Sequence, residues 1–66
     1  MKFNLNGEVV QSEKLVTVTS LIEQYKLDAR KIAVERNMEI VPRSSFDETE
    51  ISDGDNIEII HFIGGG

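Results

Sequence analysis

Apolar and polar residues alternate along Lys2-Phe3-Asn4-Leu5, as they do in a strand with one face buried. Asn6-Gly7 follows and signals a two-residue hairpin, because a type I′ turn needs positive φ at both positions. Glu8-Val9-Val10-Gln11 then returns, with Phe3 facing Val10 and both placed in the core beside Leu5. After the polar loop Ser12-Glu13-Lys14 the period changes. Val18, Leu21, Ile22 and Tyr25 recur at helical spacing and predict one apolar stripe, ending near Tyr25 or Lys26. Thr17 is the expected N-cap, accepting from the N–H of Thr19 or Ser20, with Val16 and Leu21 as a hydrophobic staple. Ile32-Ala33-Val34-Glu35-Arg36 predicts a third strand, Asn37-Met38 a second tight turn, and Glu39-Ile40-Val41 its return, ended by Pro42. That register sets Val34 against Val41 and Glu35 against Ile40, which leaves Ile40 exposed. Phe46 is expected to turn inward from a short turn or 3₁₀ piece, and Ser52-Asp53-Gly54-Asp55 to form a turn. The last strand alternates too: Ile57, Ile59, His61 and Ile63 share one face, and Glu58, Ile60 and Phe62 the other.

The predicted order is strand, strand, helix, strand, short strand, strand. A helix of about eight residues cannot stand alone and must pack on a sheet. A hairpin, a helix on one face and a final strand inserted between earlier ones make a two-layer α+β sandwich. With 66 residues there is one small domain, taken as 1–63, followed by a flexible glycine tail at 64–66. His61 falls in the phase of the interior edge.

Composition narrows the chemistry. There is no cysteine, so disulfides, thiolate metal sites and a cysteine nucleophile are excluded, and a single histidine excludes multi-histidine metal sites. The seven basic residues are scattered and the net charge is -5, which argues against nucleic acid as a partner. No apolar run approaches the roughly 20 residues of a membrane span, and the start does not read as a signal peptide, so a cytoplasmic chain, monomeric when free, is expected. Ser44-Ser45 has no nearby base, Asp47, Glu48 and Glu50 read as solvated charge, and Asp53-Gly54-Asp55 lacks the closing Glu of a calcium loop. Gly64 to Gly66 lack the helix and lysine of a phosphate loop.

What remains is Gly64-Gly65-Gly66 itself, following an apolar strand with no polar linker. At ordinary glycine usage two terminal glycines arise by chance roughly once in two hundred chains. The plain alternative is fraying or an expression scar. The chemical reading is that a backbone without Cβ atoms passes a slot too narrow for side chains. Three residues reach at most about 10 Å, enough to carry the Gly66 carboxylate into another protein's active site. A carboxylate is a poor electrophile until AMP is attached as leaving group. A sulfur nucleophile then leaves a thiocarboxylate, and an amine leaves an amide. A chain without catalytic groups fits a carrier better than an enzyme.

The Asn6-Gly7 hairpin, Thr17-Val18-Thr19-Ser20-Leu21-Ile22, Ala33-Val34-Glu35-Arg36-Asn37, Ile40-Val41-Pro42-Arg43, Asp53-Gly54-Asp55 and closing Gly65-Gly66 resemble the ThiS family, the sulfur carriers of thiamine biosynthesis. The resemblance covers essentially the whole chain. Gly-Gly alone is common to ubiquitin-like carriers, whereas Val41-Pro42-Arg43 in so short a chain points to ThiS; Met38 departs where the family often has glycine. The resemblance implies a ubiquitin-like β-grasp fold, a mixed four- to five-stranded sheet with one helix on one face. It implies that an E1-like adenylyltransferase (ThiF) uses ATP and Mg to adenylate Gly66, with no cofactor bound to the carrier itself. Sulfur then arrives from a cysteine desulfurase or related donor and passes to thiazole synthase (ThiG). The related molybdopterin sulfur carrier, a protein modifier that forms an amide through Gly66, and a plain β-grasp binding module are the competing readings. Ile40, Ile60 and Phe62 are the expected docking surface on the sheet face away from the helix, with Arg43 at its rim. An inverted strand phase would instead bury Phe62.

Overall fold

The computed structural model describes residues 1–62. Two hairpins set its sheet. In the first, β1 (Lys2–Leu5) pairs antiparallel with β2 (Glu8–Gln11) in the register Phe3 to Val10, across a turn with φ 51° at Asn6 and 84° at Gly7. Phe3 and Leu5 are buried, but Val10 is only half-buried and not the core residue expected, because β2 lies at the sheet edge. In the second, β3 (Ile32–Arg36) pairs with β4 (Glu39–Ile40) in the register Glu35 to Ile40. The Val41 N–H still donates to the Val34 carbonyl (2.8 Å) beyond the end of β4, before Pro42 closes the ladder.

The second turn has φ 53° at Asn37 and 72° at Met38. A methionine held there pays for the left-handed conformation with little packing in return, since its side chain is 87% exposed. Met38→Gly is expected to raise stability by about 0.5–1 kcal/mol, the relief of strain being partly offset by glycine's greater freedom when unfolded. Urea unfolding checks it; an unchanged or lower midpoint shows that Met38 carries no net strain.

The helix α1 (Val18–Gln24) begins where the sequence placed it. The Ser20 N–H donates to Thr17 Oγ1 (3.1 Å) and the Thr17 N–H to Ser20 Oγ (2.9 Å), a reciprocal capping box with serine in the usual Glu/Gln position. Val16, Val18, Leu21 and Ile22 are buried. Tyr25, expected in the same stripe, is the C-cap and is 45% exposed, because the helix ends there and the chain reverses through Lys26 at φ 56°.

The last strand, β5 (Asn56–His61), lies parallel to β1 and antiparallel to β3, giving a five-stranded mixed sheet in the order β2-β1-β5-β3-β4. Its phase is Ile57 and Ile59 inward, at 0% and 9% exposure, and Glu58 and Ile60 outward. These residues join Phe3, Leu5, Ile32 and Val34 under the helix, with Phe46 and Ile51 closing the core from the loops. His61 shares the helix-side phase but is exposed, not interior, since the strand runs out past the helical layer. Among the described residues no helix is long and apolar enough to cross a membrane.

Buried Asp55 locks the start of β5 to the β3–β4 turn. It accepts from Arg36 Nε (2.9 Å), Asn37 Nδ2 (3.0 Å) and the Ser52 N–H (2.8 Å). Burial opposes its ionisation, yet the hydrogen bonds from Ser52, Asn37 and Arg36 outweigh burial and hold its carboxyl below the ordinary range. The unfolded chain therefore binds the proton first. The stabilisation is complete above the unfolded value of about 3.9 and is lost as pH falls through the lower native value. Asp55→Asn is expected to cost about 1–3 kcal/mol at neutral pH and to flatten the fall in stability below pH about 4. Unfolding followed against pH checks both; an unaltered acid limb shows that other carboxylates set it.

Candidate functional site

Two devices hold the end of β5 in place. The Asn6 side-chain oxygen of the first turn accepts from the Ile59 N–H (2.8 Å), and the Phe62 N–H donates to the Lys31 carbonyl (3.0 Å). Lys31 ends a 3₁₀ turn at Ala29–Lys31, too short to show in the hydrophobic pattern. Its local signal is Asp28, which caps the turn by accepting from the Arg30 N–H (2.9 Å). Arg30 also binds the Asp28 carboxylate through its side chain, and that side-chain bond is the main cause of the Asp28 pKa falling to about 2.

The face of the sheet away from the helix carries the expected docking residues. Ile60 is 43% exposed, Phe62 57% and Ile40 62%. Ile60 pairs across strands with Ala33, while Glu35 lies between Glu58 on one side and Ile40 on the other. The structure thus sets Ile60 in β5 and Phe62 just past its end, with Ile40 two strands away and β3 between. Arg43 is exposed and sits in the 3₁₀ turn Arg43–Ser45; its Nε donates to the Ala29 carbonyl (3.1 Å), tying it to the segment that leads into β3. The Glu35–Glu58 juxtaposition was missed from sequence, because it depends on the register of strands far apart in the chain. Gly64, Gly65 and Gly66 lie outside the described residues, as does the boundary expected after residue 63.

On the helix side a groove of about 360 Å³ is lined in part by Leu5, Val10, Tyr25, Leu27, Ile59 and His61. Beside β4 a second hollow of about 410 Å³ runs between Arg36, Ile40 and Pro42 and the loop residues Ser45 and Thr49. The groove also holds Glu8, and the hollow Glu39, but among the described residues no hydrogen bond joins the Glu8, Tyr25 and His61 side chains or the Glu39, Ser45 and Thr49 side chains. Among the described residues no group of three or more His, Asp or Glu side chains is placed to hold a metal ion.

The ThiS family profile matches residues 2–66. The chain belongs to the ThiS family. It is 43% identical over 63 residues to the sulfur carrier protein ThiS of Bacillus subtilis, covering 94% of this chain and 96% of that one. It is also 48% identical over 66 residues to a thiazole synthase of Paramagnetospirillum magneticum, covering all of this chain but 20% of that protein. The chain therefore spans about a fifth of that relative's length. The crystal structure of a thiamine biosynthesis protein (ThiS) from Geobacter metallireducens superposes with a TM-score of 0.84 at 35% identity and full coverage of both chains. The mixed sheet with one helix is thus the β-grasp fold of the family, and Met38 sits in the positive-φ position where the resemblance led to the expectation of glycine.

Proposed function

We propose that this chain is a sulfur carrier of thiamine biosynthesis that works through the carboxylate of Gly66. The observation that carries the reading is near end-to-end similarity to the Bacillus subtilis carrier. The fold agrees with it: Asn6 and Lys31 hold Ile59 and Phe62, at and just past the end of β5, in place.

In this reading an E1-like adenylyltransferase of the ThiF type binds Mg-ATP and the tail together. A carboxylate oxygen of Gly66 attacks the α-phosphorus and releases pyrophosphate. The acyl adenylate is now an electrophile, because AMP leaves readily where oxide does not. A persulfide supplied through a cysteine desulfurase or related donor adds to the acyl carbon and expels AMP; a thiol then attacks the donor-side sulfur of the acyl disulfide, which releases the thiocarboxylate and leaves a disulfide on the donor. Thiazole synthase of the ThiG type takes the sulfur. Similarity of this whole chain to a segment of proteins named thiazole synthase supports that partner. Ile40, Ile60 and Phe62 form the docking centre, and Arg43 lies at its rim.

Intact mass of the chain isolated from cells tests the function. The expected species carries one sulfur in place of one oxygen at Gly66, and it disappears when the adenylyltransferase is removed. Amide conjugates of Gly66 on other proteins, with no thiocarboxylate, would make the chain a modifier instead.

A further inference from the structure

The open face of the sheet is polarised as well as apolar. Glu35 and Glu58 are direct partners across β3 and β5 and point to the same face, away from the helix. Like charges opposite one another on a sheet are unfavourable. Neither forms an ion pair with a described lysine or arginine: Arg36 is engaged by Asp55 and Arg30 by Asp28. Glu35 is only half-exposed and lies on β3, between β5 and β4, in the central part of the face. The pair is bounded by apolar groups, with Ile40 beside Glu35 and Ile60 following Glu58 by one turn of the pleat.

From this arrangement we infer that the face docks a protein partner that seats an arginine or lysine between Glu35 and Glu58, with apolar contacts to Ile40 and Ile60 on either side. The inference rests on the proposed docking of the adenylyltransferase and names the chemistry of its contact surface. A second copy of this chain does not fit, because two such faces brought together would oppose carboxylates to carboxylates. One cation relieves the repulsion between the strands and gains two acceptors. On a domain of net charge -5 the same field speeds encounter with a basic surface.

The test uses the full chain and the cognate adenylyltransferase. Association rates are followed against ionic strength for the wild type, Glu35→Gln, Glu58→Gln and the double variant, with Phe62→Ala alongside. The double variant is expected to associate about 3–10-fold more slowly at low salt and to lose much of its salt dependence. Its melting temperature is expected to rise by about 2–5 °C, because the free domain sheds a like-charge contact. Slower binding with higher stability is an outcome that a structural role for the glutamates does not produce. Glu58→Lys is expected to weaken binding by about tenfold or more. If the glutamine variants bind as fast as wild type with the same salt dependence while Phe62→Ala binds poorly, the docking face stands and the cation seat falls. If Phe62→Ala also binds normally, the docking face falls and the cation seat with it.

Discussion

Appending one residue after Gly66 is expected to reduce adenylation by at least about a hundredfold while leaving the unfolding curve unchanged. The size follows from geometry. One extended residue moves the carboxylate by about 3.4 Å, and a misplacement of about 1 Å at a reacting centre already costs that much. The added residue also replaces the Gly66 carboxylate by a neutral amide, which is no nucleophile toward ATP. Removing Gly66 withdraws the carboxylate by the same distance and is expected to have the same effect. The fold is indifferent because the described core is built from residues up to Ile59. Pyrophosphate release measured with the chain ending at Gly66 and with each altered chain checks the expectation; equal rates would place the chemistry elsewhere. Gly65→Ala belongs to the same argument, since a methyl group is expected to collide in the channel that admits the tail.

Phe62→Ala is expected to weaken binding to the adenylyltransferase about thirtyfold, the equivalent of about 2 kcal/mol for a central aromatic anchor. Stability should change little, because the side chain is 57% exposed in the free domain. Ile57→Ala is the matched control, five positions earlier and in the core of β5. Ile57 is 0% exposed, and its truncation is expected to cost about 2–5 kcal/mol of stability through the cavity it leaves. Calorimetric binding and urea unfolding of both variants separate the two roles. A Phe62→Ala chain that unfolds as easily as Ile57→Ala, or binds like wild type, would remove Phe62 from the docking surface.

Local chemistry made much of this molecule legible in its residues. Asn6-Gly7 favours a two-residue turn outright and Asn37-Met38 takes one despite the strain at Met38, and the two-residue spacing set each hairpin register, down to Phe3 opposite Val10 and Glu35 opposite Ile40. Thr17 placed the helix start because a hydroxyl there satisfies an N–H that has no other partner. Glu58 settled the phase of β5, since a carboxylate avoids an apolar core, and so put Ile60 and Phe62 outside. The candidate tail rests on a different signal, since glycine has no side chain to serve any purpose but backbone access, and Gly64, Gly65 and Gly66 lie outside the described residues.

Other features appear only when distant segments meet. The reading put the last strand between earlier ones, but only the fold shows it parallel to β1 and antiparallel to β3, for pairing partners depend on how the whole sheet closes. Helical spacing put Tyr25 in the apolar stripe, yet whether the stripe is covered depends on how far the sheet extends beneath it, and Tyr25 lies at its margin. His61 is exposed for the same reason at the end of β5. The Asp55 network needs residues 36 and 37 beside 52 and 55, and the opposition of Glu35 and Glu58 needs β3 against β5 in one register. Turn type, capping and strand phase are decided within a few residues, where sterics and hydrogen bonding act. Strand order, the edge of burial and the meeting of charges across the sheet are decided by packing, and only the tertiary structure holds them.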